Sequence, residues 1–326
     1  MQLGCEQGVK MKKILVLFML FATFLYANKP EITVNILPQK YFVDKIVKDN
    51  FTVNVMVPAG KSPHNFEPKP SQMKALAVSK IYFLIGETSE KAWIEKFKKN
   101  AKNTLFADTT VGIEKIEMVA HSHHDEDEDD HKHKHHSHKH HNHSHSKHSH
   151  KYHDHDHDDH DHDHGGLDPH IWLEPTLVKI QAKNIYEAII KVDEANSSFY
   201  KANYEEFLKE LDELDMQIKN ILAPHKDSAF MVFHPSWGYF AKRYDLEQIA
   251  IEIEGKEPKP NDLVKLVDEA KKHNIKVVFV APQFSQKSAE VISKSIGANV
   301  VAIDPLAYDL KENLLKTANE IANSYK

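Results

Sequence analysis

Cysteine is almost absent: the 326-residue chain has one, Cys5. A disulfide framework and a thiolate metal site are both excluded, because each needs thiols in groups. Glycine is sparse at 10 residues and proline numbers 14, which excludes collagen-like and Gly/Pro-rich disordered classes. Basic charge is not in excess, since 42 Lys+Arg face 48 Asp+Glu, so nothing argues for nucleic acid. Apolar residues make up 41% of the chain, enough for packed cores. Long apolar runs are missing too. The most extended, Ile14 to Ala27, falls short of the ~20 residues a spanning helix needs.

That run follows Met11-Lys12-Lys13 and ends on small Ala27 before polar Asn28. A short basic region, an apolar core and a small terminal residue form the pattern of a cleavable secretory signal, with a membrane anchor as the competing reading. Residues 1–27 are therefore expected to be an upstream extension and signal peptide, with Met11 the start. Cys5 precedes the apolar run, so the mature chain has no cysteine to carry a lipid. Export without a tether implies a periplasmic protein.

What the sequence has in abundance is histidine, 25 residues in all, and these are unevenly placed. Between His121 and His164 lie 20 His, 12 Asp or Glu and 5 Lys, so the stretch carries −7 against −6 for the whole chain. Almost without apolar side chains, it cannot offset the cost of ordering itself, and a disordered loop over 119–166 is expected. Its imidazoles suit Zn, Cu or Ni in several weak, exchangeable sites; the bland alternative is a solvated spacer. Full protonation would take the stretch to +13, and free histidine titrates near ~6.5. Metal held there should be lost between about pH 7 and 5.

Elsewhere, β-rich runs alternate with amphipathic ones. Strands are predicted at Ile32–Ile36, Phe51–Val57, Ile81–Leu84 and Thr104–Phe106, then at Ala229–Phe233, Ile249–Ile253, Val277–Val280 and Val300–Ile303. Helices fall between them. The fold class is α/β: two lobes, each a mainly parallel sheet flanked by helices. Between the lobes, Leu208, Leu211, Leu214, Ile218 and Leu222 recur at three or four, and Pro224 ends the segment. This predicts a rigid joining helix of about 25 residues and ~38 Å. A coiled-coil dimer helix is the alternative, but the repeat covers barely three heptads. The expected organisation is an N-terminal lobe over 28–196, a linking helix over 197–223 and a C-terminal lobe over 224–326.

Five histidines lie outside the stretch: His64, His170, His225, His234 and His273. Three of them, with Asp304, follow strands or precede helices in short polar segments. Ligands of open parallel sheets sit at the carboxyl ends of strands. Three imidazoles and a carboxylate also match the borderline-soft, four-coordinate preference of Zn²⁺. No two share a helical i, i+3 or i+4 spacing, so the fold must assemble them. Each histidine alone reads more readily as a surface or capped loop residue than as a ligand, and the neighbouring prolines as turn markers. His225 and His273 read as solvated, the latter at a helix C-terminus.

Four segments carry a resemblance: Pro63-His64-Asn65-Phe66-Glu67-Pro68, Asp168-Pro169-His170-Ile171-Trp172-Leu173, Phe233-His234-Pro235-Ser236-Trp237-Gly238-Tyr239-Phe240, and Ile303-Asp304-Pro305-Leu306-Ala307. They resemble the metal-binding signatures of the ZnuA-like, metal-specific solute-binding proteins of ABC transporters, in the same order, over about Ile32 to Ala322. The resemblance implies a metal cleft between two lobes, with His64 and His170 from the first and His234 and Asp304 from the second. It implies Zn²⁺ as transported ligand, since manganese-type members carry a carboxylate at the position of His234. It also implies a membrane permease and ATPase as partners, a monomer, and no enzymatic activity. An acid precedes the first histidine in some relatives. Here Pro63 stands there, which makes Asp304 the fourth ligand, with water as the alternative. Glu67 is expected to support the site, and Trp172 and Trp237 to wall it. A zinc hydrolase and a metal buffer acting through the stretch alone are the competing functions. No His-Glu-x-x-His, Gly-x-Ser-x-Gly or phosphate-loop motif favours the former.

Overall fold

The computed structural model describes residues 29–118, 166–253 and 255–326; the expected signal peptide and the histidine stretch lie outside the described residues. Short apolar runs make the first sheet: β1 (Glu31–Val34), β2 (Thr52–Val55), β3 (Ile81–Leu84) and β4 (Leu105–Asp108). All pair in parallel in the order β2-β1-β3-β4. Parallel neighbours need crossovers, here α1 (Leu37–Val47), α2 (Pro70–Val78) and α3 (Thr88–Asn100). Prolines in the first turns of α1 and α2 start these helices, since proline lacks only an N–H that no helix bond would use there.

The second lobe repeats the plan. Strands β5 (Ala229–Val232), β6 (Glu247–Ala250), β7 (Val277–Val280) and β8 (Asn299–Ala302) pair in parallel in the order β6-β5-β7-β8. Helices α6 (Gly238–Arg243), α7 (Pro260–Lys272), α8 (Lys287–Ile296) and α9 (Leu310–Ser324) follow in turn. In both sheets the connection order reverses beside the first strand, and this reversal opens a crevice at the carboxyl ends.

One helix joins the lobes, preceded by a long helix of the first. Helix α4 (Pro175–Val192) is capped by Glu174, whose carboxylate accepts from the Thr176 and Leu177 amides. Helix α5 (Ser197–Leu222) is the long linker, 26 residues and about 39 Å. It buries Tyr200, Phe207, Leu211, Leu214, Ile218 and Leu222 and packs on α1 and α4 of the first lobe and α9 of the second. The apolar stripe that could have read as a dimer seam is thus used within the chain. At its second-lobe end, Arg243 of α6 grips Asp215 through two hydrogen bonds, 3.0 and 2.7 Å.

One apolar cluster runs through both lobes, from Phe42 and Phe83 past Trp172 and Phe207 to Phe230 and Phe240. A smaller cluster under α2 and α3 backs the first sheet, and another under α7 and α8 backs the second. No helix among the described residues is long and apolar enough to cross a membrane.

Candidate metal centre between the lobes

His64 lies in the loop between β2 and α2, His170 just before the 3₁₀ turn Ile171–Leu173, and His234 just after β5. The fold brings these three together, with one potential ligand nitrogen from each inside a mutual 4.8 Å. The Nε2 atoms of His64 and His234 are 3.0 Å apart across the lobe boundary. Two ligands about 2.0 Å from a tetrahedral zinc ion stand roughly 3.3 Å from one another, so the spacing is close to that of a closed site.

Each imidazole is held from behind by a carboxylate. Asp168 Oδ1 lies 2.7 Å from His170 Nδ1 and also accepts from the His170 amide at 2.8 Å. Glu252 Oε1 lies 2.7 Å from His234 Nδ1. Glu87 Oε2 lies 3.4 Å from His64 Nδ1, an ion-pair distance without hydrogen-bond alignment, and neither oxygen of this fully buried carboxylate has a hydrogen-bond partner. A carboxylate at Nδ1 keeps that nitrogen protonated and leaves the Nε2 lone pair to face the centre.

The electrostatics differ from ring to ring. Burial, the largest influence on His64, opposes its protonation. Glu87, joined by Glu252 and Asp168, overcomes this and holds its pKa above the ordinary value. Burial also dominates at His234, and with the positive potential of the other two rings it outweighs Glu252, so that pKa is lowered. Burial would raise the Glu87 carboxyl, but the three imidazoles together hold it below the usual range. Exposure is graded too: the His64 side chain is 29% exposed, His234 10% and His170 3%.

The cleft around the rings has an empty volume of ≈ 260 Å³ and is bordered by Pro63, Trp172, Ser236, Gln283, Phe284 and Leu306. Phe284 stacks on His234 at 4.9 Å. The indole N–H of Trp172 donates to the Pro305 carbonyl at 2.8 Å, tying first lobe to second. Tyr239 makes a second tie, its hydroxyl donating to the Asp168 carbonyl at 2.8 Å and accepting from the Ile116 amide. Gly238 permits this closeness, for a Cβ there would sit 2.8 Å from Asp168 Oδ2.

Asp304 stands apart from the trio. Its Oδ1 accepts from Gln283 Nε2 at 2.7 Å and from the Leu306 amide at 2.9 Å, and the group of potential ligands does not include it. Trp172 walls the cleft as expected, whereas Trp237 is buried edge-on to Phe240 and does not border it. Glu67 is exposed. His273 pairs with Glu247 at 2.8 Å, and His225 faces the Tyr325 ring, both away from the cleft. Sequence reasoning missed Glu87, Glu252 and Gln283. All three follow a strand end closely, the same signal that singled out His234.

Comparison with known proteins agrees with this fold. The profile of the family described as zinc-uptake complex component A, periplasmic, matches residues 32–324. The chain is 28% identical over 283 residues to the high-affinity zinc uptake system protein ZnuA of Bacillus subtilis, covering 86% of this chain and 79% of that one. It is 27% identical over 310 residues to the zinc-binding protein AdcA of Streptococcus pyogenes, covering 90% of this chain but only 56% of AdcA. A crystal structure of ZnuA superposes with TM-score 0.74 at 39% identity, covering 91% of this chain and 99% of that one. A 138–173 deletion mutant of ZnuA with zinc bound matches at the same score and identity, over 91% and 98% of the two chains. The laminin-binding adhesin Lmb of Streptococcus agalactiae, at 20% identity and TM-score 0.69, covering 89% of this chain and 98% of that one, shares the fold.

Proposed function

Because the chain belongs to the zinc-uptake complex component A family, we propose that it captures Zn²⁺ at His64, His170 and His234 and delivers it to an importer. The observation that carries this reading is the convergence of three imidazoles, drawn from both lobes, within 4.8 Å. A nitrogen-rich set of this kind suits zinc and disfavours manganese, magnesium and calcium, which take oxygen. The hydrolase alternative falls with the family assignment, since the family is a substrate-binding transport component and not an enzyme. The partners are the permease and ATPase of an ABC importer, the compartment is the periplasm reached through the signal over 11–27, and the working unit is a monomer. The domains divide as 28–196, 197–223 and 224–326, with α5 carrying one lobe on each end.

The histidine stretch serves in this reading as an accessory, low-affinity collector that raises the zinc concentration near the cleft. Its composition supports that role, with 20 imidazoles interleaved with 12 acids.

Competition of the full chain against a chromophoric chelator tests the proposal. One zinc should be held far more tightly than the rest. His64→Ala, His170→Ala or His234→Ala should abolish that tight phase and spare the weak ones. Retention of the tight phase in all three variants would assign it to the stretch and overturn the reading.

A further inference from the structure

Helices α2 and α3 lie side by side over one face of the first sheet, burying Leu76 and Phe97 against Tyr82. Asn100 Nδ2 of α3 donates to the Met73 carbonyl of α2 at 2.8 Å and ties the pair together. Their inward sides are apolar, and their outward sides are lysine. Residues 69–102 hold eight lysines, all exposed. Of the three acids in that span, Glu87 and Glu90 are buried, which leaves Glu95 alone at the surface. The corresponding span of the second lobe, 259–298, sets seven lysines against four acids. Lys98 and Lys99 occupy the last turn of α3, where they complement the helix dipole, and Lys98 also pairs with Glu95 at 3.5 Å. Lys74, Lys80, Lys91 and Lys102 have no acidic partner among the described residues. The same two helices carry a half-buried Trp93, with Lys96 Nζ 4.2 Å over its ring, and Val78, 62% exposed.

Lysines spread around a partly exposed indole have the make-up of a surface that rests on lipid headgroups. We propose that the α2–α3 face of the first lobe adsorbs to membranes rich in anionic phospholipid. The lysines span two helices and none is buried, so they match an extended sheet of negative charge and not a single small anion. The periplasm, where this family works, is bounded by membranes that offer such a sheet. The chain's own acidic stretch, at −7, is the rival occupant. Ile116, which precedes that stretch, packs with the cluster running between the lobes and not with the one under α2 and α3. Each lysine close to an anionic surface strengthens adsorption about fivefold. Helices α1, α4 and α5 pack with the other cluster, on the opposite side of the first sheet. Adsorption therefore leaves the linking helix and the second lobe clear of the lipid. The proposal stands on charge and exposure alone and is independent of the metal site.

Sedimentation with phosphatidylcholine vesicles, with and without one-third phosphatidylglycerol, tests this on protein recovered after export, with whatever processing the cell performs. Chelator and a pH of about 8 keep the histidine stretch free of metal and at −7, so it cannot supply the attraction. Wild type should bind only the anionic vesicles and should leave them as salt rises from about 0.01 to 1 M, where the Debye length shrinks from about 30 to 3 Å. Lys74→Gln, Lys99→Gln and Lys102→Gln combined should bind about hundredfold more weakly. Lys271→Gln, Lys272→Gln and Lys276→Gln combined, on the second lobe, should stay within about threefold of wild type. Circular dichroism matching wild type shows each variant folded. Trp93 reports the face directly, because Trp172 and Trp237 are buried. Vesicles of brominated anionic lipid should quench wild-type emission and leave that of Trp93→Phe unchanged. Equal binding to both kinds of vesicle, or equal losses in the two triple variants, would overturn the proposal. Binding without quenching of Trp93 would place the contact on another face and overturn it too. So would a wild type that stays in solution; if deletion of residues 121–164 then brings binding, the acidic stretch is the occupant of this face.

Discussion

Replacing Glu252 with glutamine separates the charge behind a ligand from its hydrogen bond. Glu252 is buried, 6% exposed, and its Oε1 sits 2.7 Å from His234 Nδ1. Glutamine can still accept from Nδ1–H through its carbonyl, so the ring keeps its orientation and tautomer. What is lost is the negative charge that makes the opposite nitrogen a stronger donor to the metal. Removing a partner of this kind typically weakens a metal site ten- to hundredfold, about 1.4–2.8 kcal/mol. The sign of the proton effect tells the mechanism. Glu252 raises the His234 pKa, so its loss lowers proton competition and by itself would favour binding at acid pH. The weakening should therefore be undiminished at pH 8 and somewhat smaller near pH 6. Chelator competition on the full chain, with a variant lacking all three cleft histidines as background, measures it at both values. Affinity within twofold of wild type at pH 8 would refute the idea that the charge tunes the ligand. A weakening confined to acid pH would have the opposite sign to this proton effect and would also refute the reasoning.

Gly238→Ala should weaken zinc binding about tenfold and cost about 1–3 kcal/mol of stability, because its Cβ would press on Asp168 Oδ2 and swing His170. Paired zinc titration and denaturant unfolding check it. Glu90, buried and raised to about 7 chiefly by burial, accepts from the Ile85 and Gly86 amides and the Tyr82 hydroxyl. Its folded pKa exceeds the unfolded value of 4.5, so its contribution is complete below that value and is lost as pH rises through about 7. In chelator, Glu90→Gln should equal wild type near pH 4.5 and exceed it by about 3 kcal/mol at pH 8; equal stability at both values would contradict this. Deletion of residues 121–164 should remove the zinc ions that dissociate between about pH 7 and 5 and leave the tight one. Calorimetry giving the same stoichiometry with and without the stretch would refute the collector role.

Much of the architecture was legible because apolar, β-branched tetrads and helical periodicity act locally. The strand predicted at Ile81–Leu84 has those bounds, while β6 begins two residues early, at Glu247, because its register follows Ala229 of β5. Helix α1 begins at Leu37, with Pro38 compatible with its first turn. The three histidines were legible from their place at strand ends and from their motifs. Glu87, Glu252 and Gln283 were not, since an acid or amide in a loop is ordinary until the fold sets it behind an imidazole or a carboxylate. Asp304 was found by motif and given a ligand's role. The Gln283 amide that takes its carboxylate lies 21 residues away in the chain, a partnership only the packing of β7 beside β8 reveals.

The graded exposure of the three rings sets an order of events. Only His64 meets solvent to an appreciable degree, while His170 and His234 are closed in from behind. Under the proposed zinc-binding reading, a competing ligand would reach the ion on that side, and the bond to His64 would be the first to break on departure and the last to form on arrival. Control of the off-rate would then reside in the segment between β2 and α2. A permease that displaces that segment would start release without ever touching the two inner histidines.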